Sequence, residues 1–148
     1  MTESVQKETS AGGIVFKKNN DVFLWLIIQH SKARHWGFPK GHIGDKIPNE
    51  KMEEAALREV QEEGGISAQI ISHEPFEINY SYKLHEEQRD KTVYYFLMEY
   101  ISGDTANHDW EVEEALFIPS SEVIEMLSYP SDLKAFIEAQ EVLAQLKK

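Results

Sequence analysis

Residues 50–66 read Glu50-Lys51-Met52-Glu53-Glu54-Ala55-Ala56-Leu57-Arg58-Glu59-Val60-Gln61-Glu62-Glu63-Gly64-Gly65-Ile66, and the fold is decided by how this stretch is understood. Its pattern predicts a helix from about Glu50 to Glu63, with Asn49 as N-cap and Gly64-Gly65 as a left-handed stop. Glu59, Glu62 and Glu63 stand at i, i+3 and i+4 and so share one face. Ala55, Ala56, Leu57 and Val60 are left for the buried side. Three carboxylates within one turn repel one another, and the macrodipole at a helix carboxyl end adds to the penalty. Two explanations compete. One is a solvated acidic face with Glu54–Arg58 and Arg58–Glu62 pairs, each worth about 0.2–0.5 kcal/mol. The other is a site for a hard cation, which turns the repulsion into coordination. Ligands that are all oxygen, with no cysteine and no paired histidines, favour Mg²⁺ or Mn²⁺ over zinc.

The rest of the chain bounds the choice. At 148 residues and 41% apolar content, residues 1–148 are expected to form a single domain with one core. The absence of cysteine excludes a disulfide scaffold, a thiolate metal site and cysteine catalysis. Twenty-six Asp and Glu against fifteen Lys and Arg leave a net charge of −11, so binding to a long nucleic acid is not expected. The longest apolar run, Val22 to Ile28, falls far short of the ~20 residues that span a bilayer. Met1 to Ser10 is polar and lacks the pattern of a secretory signal, so the expectation is a cytoplasmic protein with no membrane partner.

Strands are expected at Ala11–Phe16 and Val22–Gln29, joined as a hairpin by the polar turn Lys17–Asp21. Ser31 to Asn49 reads as loop, with Gly37, Pro39, Gly41, Gly44 and Pro48. Ala68–Tyr82 supplies one strand or two, Lys83–Asp90 a polar loop, and Thr92–Ile101 and Ala115–Ile118 further strands. The carboxyl end is helical twice, at Ser120–Leu127 and Ser131 to about Leu146. In the last helix a stripe of Leu133, Phe136, Ile137, Gln140, Leu143 and Leu146 is expected to pack on the core. The result is an α+β or α/β fold, a mixed sheet between helices.

From Gly44 the chain matches G-x5-E-x7-R-E-U-x-E-E-x-G-U at every fixed position, with U an aliphatic residue. This resembles the signature of the Nudix hydrolase family, which implies an αβα sandwich. Upstream, Trp36-Gly37-Phe38-Pro39-Lys40-Gly41-His42 is similar to the W-x-x-P-K-G-H segment of the family's diadenosine tetraphosphate hydrolase branch. In that branch the glycine of Lys-Gly-His opens the motif, so either Gly44 opens it here or the loop after Gly41 carries three extra residues.

The resemblance implies divalent-metal-dependent hydrolysis of a nucleoside diphosphate linked to another group. Glu59, Glu62 and Glu63 are the candidate metal ligands, and a backbone carbonyl near Lys40 or Gly41 completes the set by family likeness. Arg58 is expected to orient Glu50 or Glu62 rather than touch substrate. The base is Glu59 or a carboxylate of the downstream loop, Glu111, Glu113 or Glu114, with Glu113 carried forward. Arg34, His35, Lys40, His42 and Lys91 offer positive or donor groups to an anion in an otherwise acidic chain. Tyr82 falls where the branch carries a tyrosine, and Asp90–Leu97 resembles its K-T-V-x-Y strand. The substrate so implied is a small nucleotide, diadenosine tetraphosphate cleaved to ATP and AMP, acted on by a monomer or dimer. Alternatives are another Nudix substrate (an oxidised nucleotide, ADP-ribose, an RNA 5′ end, a diphosphoinositol polyphosphate) or a non-catalytic nucleotide-binding module.

Overall fold

A computed structural model describes residues 5–44 and 46–146. The chain opens with the expected hairpin, β1 (Val5–Asn19) and β2 (Val22–His30), antiparallel with Phe16 opposite Trp25. Its turn is confined to Asn20 and Asp21, because Lys17 and Lys18 continue the ladder opposite Leu24 and Phe23. The segment expected to be loop contains two short strands, β3 (Trp36–Gly37) and β4 (Lys40–His42). β4 pairs with β1 through Gly41 opposite Ala11.

Helix α1 runs Met52–Gly64. Asn49 is not its N-cap. Asn49 takes a left-handed conformation (φ 62°), which asparagine tolerates, and the helix starts two residues later from extended Lys51. Gly65 ends it at φ 77°, donating its N–H to the Gln61 carbonyl. Beyond lie β5 (Ile66–Ile70), β6 (Phe76–Leu84) and β7 (Glu87–Gly103). The polar loop expected at Lys83–Asp90 is instead a two-residue reversal at His85 and Glu86, both at positive φ, inside a long β6–β7 hairpin. Polarity there marks exposed strand, not absence of strand. β8 (Val112–Pro119), α2 (Ser120–Met126) and α3 (Pro130–Leu146) complete the chain.

Among the described residues these eight strands form one mixed sheet in the order β3-β2-β1-β7-β5, with β4 on β1, β6 on β7 and β8 on β2. β1 and β7 run parallel, from Val5 opposite Gln88 to Phe16 opposite Glu99. Strand alternation divides the core between two faces. Val15, Leu26, Ile28, Phe96 and Met98 face α1, where Ala55, Ala56 and Val60 meet them. Ile14, Phe16, Trp25, Ile27, Tyr95 and Leu97 face α2 and α3, meeting Val123, Phe136 and Leu143. Helices on both faces make the αβα sandwich expected from the motif.

Two core assignments shift. Leu57 is exposed on α1 and takes no part in its buried side. On α3 the buried line is Asp132, Ala135, Phe136, Ala139 and Leu143, while Ile137 and Leu146 face outward. Small alanines let the helix approach the aromatic layer, and a stripe chosen for large apolar residues overlooks them.

Candidate active site

Helix α1 lies against β4, and this contact builds one wall of a cavity of about 880 Å³. A Cβ on Gly41 would run into the Glu59 carboxylate, so glycine lets β4 cross there without moving Glu59. The Lys40 N–H donates to Glu63 Oε1 at 2.9 Å. Glu59 and Glu63 are both buried yet line the cavity. Burial pushes Glu59 above the ordinary carboxylate range. Burial also pushes Glu63 up, to about 8; the Lys40 N–H opposes it, and the charges of Glu59, Asp109 and Glu111 reinforce it.

Arg58 holds the cluster from behind. Its Nε and Nη2 donate to the two Glu50 oxygens at 2.7 and 2.9 Å, a bidentate pair in which Glu50 is buried. Nη1 donates to Glu59 at 2.7 Å and to Glu62 at 3.2 Å. The guanidinium holds Glu50 below its usual range, and the carboxylates raise Arg58 in turn. Arg58 therefore packs against Glu50, Glu59 and Glu62 and does not line the cavity. The Glu54–Arg58 pair read from spacing does not form, since the guanidinium turns toward Glu50. Glu62 also accepts from Lys46 Nζ at 2.8 Å. The Gly44 N–H reaches Glu50 Oε1 at 3.3 Å, so Gly41 serves Glu59 while Gly44 serves Glu50.

The opposite wall is cationic and aromatic. Lys40 Nζ donates to the Tyr80 hydroxyl at 3.1 Å, and Ser81, Tyr82 and Lys91 follow from the β6–β7 hairpin. Burial lowers Lys40, with Asp132 and Glu63 opposing. Tyr82 commits its hydroxyl proton to Glu8 Oε1 at 2.8 Å. Arg89 bonds the same oxygen at 3.1 Å, and His42 lies 3.6 Å from the other. A third side comes from His30 and His35, whose rings lie 4.7 Å apart and tilted by 43°, and from Tyr129 to Asp132. Burial lowers His30 to about 4 and also lowers His35, so both rings are neutral at pH 7.

Of the residues singled out for substrate, His35, Lys40, His42, Tyr82 and Lys91 line the cavity. Arg34 does not; it is exposed in the turn after β2, its N–H on the His30 carbonyl. In the downstream loop the cavity-lining carboxylate is Glu111, not Glu113 or Glu114, which are exposed on β8. The Glu111 carbonyl accepts from the Ser31 N–H and hydroxyl, both at 3.0 Å, and the Asp109 N–H bonds the Glu62 carbonyl at 2.8 Å. Those bonds lay the loop against the end of α1. Spacing missed His30, Lys46, Tyr80, Tyr129 and Asp132, because each reaches the cavity through pairing or packing, and it missed Glu8, which stands behind Tyr82. A lone polar residue inside an apolar helix pattern was the one readable signal, and only Asp132 carries it.

The donor set fits a hard divalent cation. Glu59, Glu63 and Glu111 offer only oxygen, and the first two are buried carboxyl groups one helical turn apart, where a dication would favour the ionised form. Among the described residues no three acidic or histidine side chains already converge at metal-binding distance; Arg58 lies on Glu59 and Glu62 instead. Nor is any helix long and apolar enough to cross a membrane.

Residues 6–140 match the NUDIX domain family. Over 146 residues the chain is 31% identical to a putative mutator protein MutT4 of Mycobacterium tuberculosis, covering 95% of this chain and 57% of that protein. Over 90 residues it is 41% identical to the asymmetrical bis(5′-nucleosyl)-tetraphosphatase of Rattus norvegicus, covering 58% and 56% respectively. The chain thus spans just over half the length of these curated relatives. A Caenorhabditis elegans Ap4A hydrolase in a binary complex shares the fold at a TM-score of 0.77 and 23% identity, over 93% of this chain and 98% of that one. The motif helix, the sandwich around it and the family match agree: this chain belongs to the NUDIX domain family.

Proposed function

We propose that this chain is a Nudix pyrophosphohydrolase dependent on Mg²⁺ or Mn²⁺, cleaving bis(5′-nucleosyl)-tetraphosphate asymmetrically, diadenosine tetraphosphate to ATP and AMP. One observation carries the reading. A single cavity sets buried carboxylates on one side and Lys40, Lys91, Tyr80 and Tyr82 on the other, at a scale suited to a nucleotide. Likeness to the asymmetrical tetraphosphatase supports the choice of substrate.

Glu59 and Glu63, which line the cavity, would hold the divalent ion, joined by Glu62 from the same helix face. When bound, it supplies acidity to water and charge neutralisation to phosphoryl oxygens. Lys40 and Lys91 bind the polyphosphate and offset the charge gathering on its oxygens. Arg58 keeps Glu59 aimed at the cavity by bonding it from outside, and holds Glu62 beside it. Glu111 takes the part of loop base assigned to Glu113, because its carboxylate reaches the cavity. His35, kept neutral by burial, donates a hydrogen bond without adding charge, and His42 lines the cavity beside it.

The test is an initial-rate screen with Mg²⁺ over diadenosine tetraphosphate, an oxidised purine triphosphate, ADP-ribose, capped RNA and diphosphoinositol pentakisphosphate, with products separated by chromatography. ATP and AMP in equal amounts from the first, at the highest kcat/KM, is the expected result. Faster turnover of another compound reassigns the substrate. Tight nucleotide binding with no product from any compound makes the chain a binding module.

A further inference from the structure

Among the described residues, Asp132 is the one buried carboxylate of the cavity that lies off the acidic helix. It sits in the first turn of α3 and is 3% exposed. Its Oδ1 accepts the Tyr95 hydroxyl at 2.9 Å. Among the described residues, Oδ2 receives no hydrogen bond and Asp132 makes no ion pair. Lys40, whose charge it feels, spends its amino group on Tyr80 instead. Yet Oδ2 is not sealed from solvent-sized contact, since the fully enclosed side-chain atoms without partners are Ser10 Oγ and Arg89 Nε. With the residue almost wholly buried and lining the cavity, the open side of Oδ2 is the cavity. A desolvated carboxylate oxygen with one free acceptor direction costs stability until a donor meets it.

Beside it stand the rings of His35 and Tyr129, 5.2 Å apart, flat surfaces that suit a purine plane. Gly37 lies against this oxygen: a Cβ there would stand 3.1 Å from Oδ2 and crowd it. We infer that Asp132 is a specificity residue, its Oδ2 accepting a hydrogen bond from the exocyclic amino group of the substrate's nucleobase. The inference rests on the nucleotide hydrolase reading and adds which base that enzyme takes: adenine, with its amino group, over hypoxanthine, which presents a carbonyl there.

Two variants test it. Asp132→Asn is isosteric; with its carbonyl oxygen held by the Tyr95 hydroxyl, its amide N–H₂ replaces Oδ2 and turns an acceptor into a donor. Gly37→Ala keeps the charge and crowds the oxygen. The substrates are the diadenosine and diinosine tetraphosphates, and calorimetric binding of AMP and IMP gives a second reading that does not need turnover. The wild type should favour adenine by about tenfold or more in kcat/KM. Asp132→Asn should reverse that preference, and Gly37→Ala should reduce it to about threefold or less. Asp132→Asn that melts like the wild type and keeps the adenine preference overturns the inference. Discrimination that follows a 2′-deoxyribose analogue instead of the base overturns it too, by assigning the oxygen to the sugar. If no tetraphosphate is cleaved, the hydrolase reading fails, while AMP and IMP binding still decides the role of Asp132.

Discussion

On one face of the sheet α1 makes its contact through Ala55, Ala56 and Val60; on the other α3 meets Trp25, Phe38 and Tyr95 through Phe136 and small alanines. Trp25 and Phe136 rings lie edge to face at 5.0 Å, and Phe38 stands 5.5 Å from Tyr95. Each helix also sends buried carboxylate into the same cavity. α1 sends Glu59 and Glu63, placed by backbone contacts from β4; α3 sends Asp132, placed by an aromatic layer. The first wall fixes charge with little apolar volume, and the second fixes volume with little charge. Substitutions on the two walls should therefore fail in different ways.

The sharpest way to break this contrast is Glu63→Gln. Turnover with Mg²⁺ should fall on the order of 10³-fold, while the thermal midpoint holds, because the buried carboxyl is already mostly protonated at pH 7 and the amide oxygen still accepts the Lys40 N–H. Full activity would remove Glu63 from the site. On the other wall Phe136→Ala should cost about 3–5 kcal/mol of stability by urea titration. A cost under about 1 kcal/mol would mean that the aromatic layer does not carry the α3 face.

Arg58 tests whether charge on the α1 wall is itself structural. Arg58→Gln leaves the Glu50 carboxylate buried without its guanidinium and should cost about 3 kcal/mol. The Glu50→Gln, Arg58→Gln double variant should recover a large part of that in the same titration, with activity still low. The smallest effect is expected where the third side begins. His30 binds its proton in the unfolded chain near pH 6.5 and in the folded one only near pH 4. The unfolded state thus takes up the proton first, so stability is lost as pH falls through that window. A His30→Gln variant should show a flatter stability profile between pH 6.5 and 4, and an unchanged slope would place the acid sensitivity elsewhere.

The acidic wall was legible in sequence because Glu59, Glu62 and Glu63 break the rule that like charges are diluted on a helix. Their frame of Gly44, Glu50 and Arg58 named the partners that pair with them. The hairpin of β1 and β2, the left-handed stop at Gly65 and both carboxyl-terminal helices were legible for the same reason: each is written in local pattern. The cationic wall was half legible. Lys40 and His42 sit beside the motif, but Tyr80 enters through antiparallel pairing with Lys91, which no local window contains. Arg34 and Glu113 mark the limit from the other side. Each is one or a few residues from a cavity-lining neighbour, and direction of the side chain, set by turn and strand phase, decides between them.

The parallel ladder of β1 with β7 has a consequence for how the protein is made. Val5 must wait for Gln88, and Phe16 for Glu99, before either can complete its pairing. Contacts that join such remote segments form slowly, since the entropy of closing the intervening chain comes first. During synthesis α1 therefore emerges well before the strand that bears Lys91, and its glutamates are still in water when it does. Their desolvation falls near the end of folding, so divalent ions present at that stage should hasten the last step far more than the first.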